Sequence, residues 1–131
     1  MGLDRRSDAA RLLVVEDDPA MRDLMVELLT DAGYDVMAAP GGSRAVRELF
    51  RSPGLNGYDL VVTDLRMEGM DGMELLRLIR DLEGPPVLMV SAFATPEIRD
   101  EAFEAGVVEV LSKPFDSDCL LSAVRQGARS C

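Results

Sequence analysis

The chain has 131 residues, about the size of one domain and long enough to bury a substantial core. Its 24 acidic and 14 basic residues give a net charge of −10, which argues against non-specific nucleic-acid binding because phosphates must be neutralised by Lys and Arg. The absence of histidine excludes His-based metal sites and Ser-His-Asp chemistry, and the two cysteines are too few for a disulfide framework.

Membrane and secretory segments are not expected either. No 18-residue apolar span occurs, and the polar start MGLDRRSDAA lacks the apolar core of a signal peptide. These features fit a soluble, acidic protein of the cytosol. We expect residues 1–10 to form a mobile tail, 11–128 a single domain and 129–131 a short C-terminal tail.

Five short apolar runs predict five strands: RLLVV (11–15), YDVMAA (34–39), YDLVVTD (58–64), PPVLMVSA (85–92) and VVEVLS (107–112). The first, third and fourth runs are nearly continuous in Val, Leu and Met. Such runs are typical of parallel strands covered on both faces.

The segments between and after these runs have helical spacing. Asp18 and Pro19 suit the start of the first helix and Gly33 its end, Asp71 caps the third, and Thr95-Pro96 opens the fourth. Asp116 or Ser117 can cap the fifth. The apolar positions are Met21, Leu24, Met25, Leu28 and Ala32; Val46, Leu49 and Phe50; Leu75, Leu76, Ile79 and Leu82; Ile98, Ala102 and Ala105; and Leu120, Leu121, Val124 and Ala128.

Strand and helix therefore alternate five times, which predicts a doubly wound α/β fold, a parallel sheet with helices on both faces. Periodicity leaves the strand order open. It does predict that function lies at the C-terminal ends of the strands.

Carboxylate, hydroxyl and ammonium groups end or follow four of the five strands: Glu16, Asp17 and Asp18 after the first; Asp64 at the end of the third; Ser91, followed by Ala92, at the end of the fourth; and Lys113 after the fifth. Taken singly, each has an ordinary explanation. An acidic pair before a proline is usually a helix cap, Lys-Pro is usually a turn, and a serine at a strand end is usually bonded to backbone. Those explanations do not account for their joint placement at one edge.

The joint pattern indicates phosphoryl chemistry. Clustered carboxylates repel one another unless they share a cation or a proton. Oxygen ligands without His or Cys suit a hard cation, here Mg²⁺ rather than Ca²⁺. A metal ion with a nearby ammonium and hydroxyl forms an electrostatic clamp for a phosphoryl group, and a carboxylate can be the nucleophile. Asp64, at the end of a rigid strand, is the candidate nucleophile.

Four stretches resemble the receiver domain of bacterial two-component response regulators: LLVVEDDPAMRDLM, DLVVTDLRMEGMDGMELL, PVLMVSAFA and EVLSKPF. The resemblance covers about residues 10–128 and is greatest to receivers of the nitrogen-regulator type. It implies a flavodoxin-like sheet of order 2-1-3-4-5 with five helices. It also implies Mg²⁺-dependent phosphotransfer from a sensor histidine kinase or phosphotransfer protein, and a signal passed to an output domain or partner.

The resemblance assigns the metal and phosphoacceptor positions. It makes Asp64 the phosphoacceptor and a metal ligand, Asp17 a direct Mg²⁺ ligand, and Glu16 a ligand through water. The third protein ligand is the backbone carbonyl of Arg66. Asp18, just beyond the acidic pair, is interpreted as the cap of the first helix.

Further positions follow from the same resemblance. Ser91 is implied to bond the phosphoryl group, Ala92 to leave the pocket accessible, and Lys113 to pair with Asp64 and then with a phosphoryl oxygen, before a cis Pro114. Phe93, with Arg66, is expected to flank the path of an attacking water.

Two positions depart from the family pattern. Glu68 stands where a proline is common. Val110 stands where most receivers have Tyr or Phe, an aromatic that turns inward upon phosphorylation, so we expect the loop after Ser91 to carry the switch instead.

Three other functions share part of this pattern. A Mg²⁺-dependent phosphohydrolase would use a second acid two residues after the nucleophile, where this chain has Arg66. An unphosphorylated interaction module is a second alternative, and a flavin-binding module of the same fold is a third, although no phosphate-cradling loop follows the first strand. The sequence leaves the cognate kinase, the output partner and homodimer formation open, and it predicts no membrane or direct nucleic-acid contact.

Overall fold

A computed structural model describes residues 9–51, 54 and 57–129. Five parallel strands form one sheet of order β2-β1-β3-β4-β5. The strands are β1 (Arg11–Val15), β2 (Asp35–Ala39), β3 (Leu60–Asp64), β4 (Val87–Ser91) and β5 (Glu109–Ser112). The helices are α1 (Pro19–Asp31), α2 (Gly42–Leu49), α3 (Gly72–Asp81), α4 (Pro96–Glu104) and α5 (Ser117–Arg129). The predicted doubly wound fold and the implied strand order are confirmed.

Two apolar layers cover the sheet, and its central strands are therefore buried on both faces. Every residue of β3 and β4 is buried. On one face, side chains such as Val14 and Val62 pack with Met25 and Leu29 of α1 and with α5. On the other face the sheet packs against α2, α3 and α4. Both faces are therefore filled, and the strand ends are left as the place for polar groups.

Side-chain caps start the helices where the sequence predicts them. Asp18 accepts a hydrogen bond from Met21 N–H, and Asp71 and Glu74 form a reciprocal capping box at α3. Thr95 caps α4. For α5, the Oδ1 atom of Asp116 accepts from Cys119 N–H at 2.8 Å, which identifies Asp116 rather than Ser117 as the cap.

Some predicted apolar positions are wrong in detail. Phe50 follows the end of α2 as its C-cap and is 58% exposed, so it is not part of the helix core. Leu24 in α1 and Leu82 at the end of α3 are also exposed. In α1 the buried positions are Met25 and Leu29, with Met21 and Leu28 packed partly buried beside them, so the face toward the sheet includes Leu29 and excludes Leu24.

The predicted tails remain predictions. Residues 1–8 and 130–131 lie outside the described part of the chain, and α5 extends through Arg129. Within the described residues, none of the helices combines the length and apolar character needed to span a bilayer.

Candidate functional site

The polar strand-end residues meet at one edge of the sheet. Glu16 and Asp17 follow β1, Asp64 and Ser91 are the last residues of β3 and β4, and Lys113 follows β5. Parallel strands place all of their carboxyl ends on the same side, so residues far apart in sequence become neighbours. One carboxylate oxygen from each of Glu16, Asp17 and Asp64 lies within 4.8 Å of the others.

The carboxylate of Asp64 is almost fully shielded from solvent. The residue is 7% exposed, and its Oδ1 atom accepts a hydrogen bond from Leu65 N–H at 2.8 Å. Its Oδ2 atom lies 3.4 Å from Lys113 Nζ. Burial, and then the neighbouring charge of Glu16, raise the pKa of Asp64 to about 6, against the opposing effect of Lys113. The carboxylate is therefore a stronger base than an exposed aspartate.

Glu16, rather than Asp64, is the nearer partner of the ammonium group. Its Oε1 atom lies 2.8 Å from Lys113 Nζ, and its Oε2 atom accepts from Asp18 N–H at 3.2 Å. Burial alone would lower the pKa of Lys113, but hydrogen bonding and charge from Glu16 and the charge of Asp64 raise it, so the side chain stays charged. The predicted pairing of Lys113 with Asp64 is thus present as the longer of two contacts.

Arg22, which the sequence analysis did not identify, contacts the backbone of this acidic cluster. Arg22 Nη1 donates to the backbone carbonyl of Glu16 at 2.9 Å, from the first turns of α1. Arg22 is six residues after Glu16, and the chain between them passes from β1 into α1. Neither helical nor strand periodicity therefore predicts that the two residues are in contact. Arg22 therefore fixes the backbone at the start of the acidic run.

Asp17 lies on the exposed side of the site. It lines a cavity of about 410 Å³ together with residues of the β2–α2 connection and Glu68. Glu68, where the family commonly has proline, is exposed at the rim of this cavity. The acidic cluster is consequently open to solvent on the side of Asp17 and closed on the side of Glu16.

Ser91 is fully buried, and its Oγ atom accepts a hydrogen bond from Phe93 N–H at 2.9 Å. Ala92 is exposed beside it. The peptide bond between Lys113 and Pro114 is cis, as the family resemblance implies. These two loops, after β4 and β5, border the carboxylate of Asp64 on the side away from β1.

Arg66 and Phe93 contact each other across the site. The guanidinium carbon of Arg66 lies 4.6 Å from the centroid of the Phe93 ring, a cation–π geometry. Arg66 is exposed, and Phe93 is 51% exposed. The pair joins the loop after Asp64 to the loop after Ser91. Val110 lies apart from it, 2% exposed within β5, and its carbonyl accepts from Arg99 at 3.0 Å.

The donor set of the site fits a hard divalent cation. Glu16, Asp17 and Asp64 offer carboxylate oxygens at a spacing that one ion can bridge, and histidine and cysteine take no part. Few protein ligands and an open side suit Mg²⁺, which keeps several of its waters. With Lys113 close by, the site can also hold an oxyanion such as a phosphoryl group.

Comparison with known proteins gives a consistent picture. The family model described as the response regulator receiver domain matches residues 12–125. The transcriptional regulatory protein GlrR of Escherichia coli K12 is 39% identical over 116 residues, 88% of this chain and 25% of GlrR. The response regulator protein FleR of Pseudomonas aeruginosa is 36% identical over 121 residues, 92% of this chain and 25% of FleR. The chain thus spans about a quarter of the length of these two relatives.

A solved structure agrees in fold. The chemotaxis protein CheY4 of Vibrio cholerae superposes with a TM-score of 0.83 at 28% identity, covering 91% of this chain and 98% of CheY4. The similarity to GlrR and FleR also agrees with the resemblance to receivers of the nitrogen-regulator type.

Proposed function

The chain belongs to the response regulator receiver domain family, and on that premise we propose that it accepts a phosphoryl group on Asp64 from the phosphohistidine of a sensor histidine kinase or phosphotransfer protein. The reaction depends on Mg²⁺ and changes the conformation of the domain. The observation that carries the proposal is the convergence of three carboxylates and Lys113 at one sheet edge, with Asp64 at its centre.

In the transfer step, a carboxylate oxygen of Asp64 attacks the phosphorus atom. The phosphorus–nitrogen bond of the donor breaks, and its electron pair stays on the imidazole nitrogen. The Leu65 N–H bond to Oδ1 fixes the plane of the carboxylate before the donor arrives. Lys113 offsets the negative charge that gathers on the phosphoryl oxygens.

The metal is assigned to Asp17, Asp64 and the backbone carbonyl of Arg66, with Glu16 acting through water. When bound, Mg²⁺ supplies positive charge that neutralises the phosphoryl oxygens. The indirect role of Glu16 is supported by its contacts, since one oxygen lies against Lys113 and the other accepts from Asp18 N–H. Asp17, on the open side, is the best placed to bind the ion directly.

Ser91 and Lys113 are assigned to the phosphoryl oxygens once the group is on Asp64. Ala92 keeps access to the carboxylate open because its side chain is small. As a signalling domain, the receiver catalyses only its own phosphorylation and dephosphorylation. Because GlrR and FleR are about four times as long as the matched segment, we propose that the signal passes to an output domain or a separate partner.

The test is incubation with acetyl phosphate and Mg²⁺, followed by intact mass measurement. Wild type should gain one phosphoryl group, and Asp64→Asn should gain none. Asp18→Asn is the matched control, because asparagine still caps a helix and Asp18 lies beside the site. An unchanged adduct in Asp64→Asn would move the phosphoacceptor elsewhere, and its loss in Asp18→Asn would mean that carboxylate loss acts non-specifically.

The metal assignment is tested by comparing Asp17→Ala with Asp18→Ala. Titration calorimetry with Mg²⁺ should show a far larger loss of affinity in the first variant. Asp18→Ala removes a helix cap, which costs about 1 kcal/mol of stability. Equal losses of affinity in both variants would contradict the assignment of Asp17.

A further inference from the structure

The β5 strand lies at an edge of the sheet, with no neighbour on its outer side among the described strands. Lys113 N–H, just beyond β5, donates inward to the Ser91 carbonyl at 2.8 Å. Backbone groups of alternate residues in a strand point to the same side, so Leu111 also faces β4. Val110, between them, turns its N–H and carbonyl groups toward the free edge.

Two side chains cover these edge groups. The Glu109 carboxylate accepts from Val110 N–H at 2.9 Å, and Arg99 of α4 donates to the Val110 carbonyl at 3.0 Å. Arg99 Nη2 also lies 3.7 Å from Glu109 Oε1. We call Arg99, Glu109 and the Val110 backbone the edge clip. Because Arg99 and Glu109 are 38% and 45% exposed, their ion pair adds little, and the hydrogen bonds to backbone carry the contact.

The edge clip matters to α4 because the apolar contact of that helix with the core is small. Of its nine residues, all described, Ala102 alone is buried. Ile98 packs, partly buried, against the same core, and the half-exposed Arg77–Glu101 ion pair joins α4 to α3 at 2.8 Å. Such exposed pairs contribute about 0–1 kcal/mol. Arg99 therefore adds to this small apolar contact a hydrogen bond that joins α4 directly to the edge strand.

The start of α4 is linked to the reactive site by a short chain of hydrogen bonds. Phe93 N–H donates to Ser91 Oγ, and the Phe93 carbonyl accepts from Thr95 N–H at 2.8 Å. Thr95 caps α4, and Arg99 lies one turn later. A change in the hydrogen bonding of Ser91 therefore reaches the helix turn that carries Arg99 through only two contacts.

We propose that the edge clip holds α4 against β5 in the unphosphorylated protein and that phosphorylation of Asp64 releases it. This rests on the proposed function. Drawing the Ser91 hydroxyl toward the phosphoryl group changes its contact with Phe93, and a ligand shifts a conformational equilibrium only through such differential contacts. Arg99 then takes the place of the aromatic side chain that Val110 lacks, by acting on the backbone of that residue.

The holding role is tested without phosphorylation. Hydrogen–deuterium exchange of residues 98–104 should be about tenfold faster in Arg99→Ala than in wild type. Arg77→Ala is the matched control, since it removes an arginine contact of α4 on the opposite side, and it should change exchange far less. Glu109→Gln keeps an acceptor for Val110 N–H and should also have a small effect. Equal exchange in Arg99→Ala and Arg77→Ala would overturn the proposal.

The release is tested with acetyl phosphate and Mg²⁺, with intact mass followed in parallel. Fully phosphorylated wild type should show the same acceleration at residues 98–104 and at Val110. Arg99→Ala should take up the same adduct and show little further change. A complete adduct without acceleration overturns the release. A wild type that forms no adduct overturns the proposed function and the release together, whereas the holding role is decided by the unphosphorylated samples.

Discussion

Helices α3 and α4 follow neighbouring strands on the same face of the sheet, yet they are attached in different ways. α3 buries five of its ten residues and begins with a capping box. Its first residue, Gly72, lies against the Asp64 backbone and donates its N–H to the Leu65 carbonyl at 2.8 Å. α4 buries one residue of nine, with Ile98 packed partly buried beside it, and is also joined to its neighbours by polar contacts of Arg99 and Glu101.

The different attachments of α3 and α4 suit two different roles beside the same site. The helix next to the nucleophile is fixed by packing, which cannot change by small steps because cores are closely packed. The helix after Ser91 has a small apolar contact and a few polar ones, and each such hydrogen bond contributes only about 1 kcal/mol. Chemistry can thus be kept in place at the end of β3 while movement is confined to the segment after β4.

The largest effect on stability is expected from disrupting the packing of α3 against the end of β3. In Gly72→Ala the new Cβ would overlap the Asp64 carbonyl oxygen and lie 2.9 Å from Leu65 Cα, so α3 must retreat from the strand. We expect a loss of about 3 kcal/mol in the free energy of unfolding, measured by urea denaturation. Gly41→Ala is the control, because its Cβ meets nothing within 4 Å. Similar losses in both would show that close approach does not fix α3.

The next largest effect on stability is expected from the ionisation of Asp64, at the end of β3. Because the folded pKa of Asp64 is raised from 3.8 to about 6, the carboxyl favours folding when protonated, and this contribution is lost as the pH rises from about 4 to 6. Without Mg²⁺, wild type should therefore lose about 2 kcal/mol relative to Asp64→Asn between pH 4 and 7, by denaturation at each pH.

Saturating Mg²⁺ is the control for this pH effect, since a bound cation stabilises the ionised carboxylate. It should reduce the difference between wild type and Asp64→Asn at pH 7. A difference that does not vary with pH would mean that burial and Glu16 do not perturb Asp64.

A smaller effect is expected at the contact that joins the two loops. Arg66 stacks on Phe93, and both should obstruct the water that hydrolyses the phosphoryl group. Shielding of about 1.4 kcal/mol corresponds to a tenfold slower loss. Phosphoryl loss from Arg66→Asn/Phe93→Glu should therefore be about tenfold faster than from wild type, followed by intact mass in Mg²⁺ buffer.

The two single variants sharpen that prediction. Because each side chain holds the other, either substitution alone should give much of the acceleration, so the effects should not add. Identical decay in wild type and the double variant would remove the shielding role.

The smallest effect on signalling is expected at the movable side. Val110→Ala keeps the backbone groups to which Arg99 and Glu109 bind. Phosphorylation-dependent changes around residues 91–105 should remain largely intact by NMR. Their loss would assign the Val110 side chain itself to the switch.

Local signals in the sequence determined much of this protein. Strand and helix periodicity, the caps at Asp18, Asp71 and Thr95, and the residues at the strand ends were all readable, because each depends on a few neighbouring positions. The same signals separated Asp18, a cap, from Glu16 and Asp17, which belong to the acidic cluster. The strand order came from family resemblance rather than from periodicity.

Only the tertiary structure decided which side chains contact one another. The ammonium group of Lys113 lies nearer to Glu16, 97 residues away, than to Asp64, and Arg66 lies on Phe93. The sequence pattern also did not predict the hydrogen bond from Arg99 to the Val110 carbonyl or the exposure of Phe50. Spacing places a residue at the end of a strand or on a helix face, but its partner depends on rotamer, burial and competing charges contributed by elements distant in sequence.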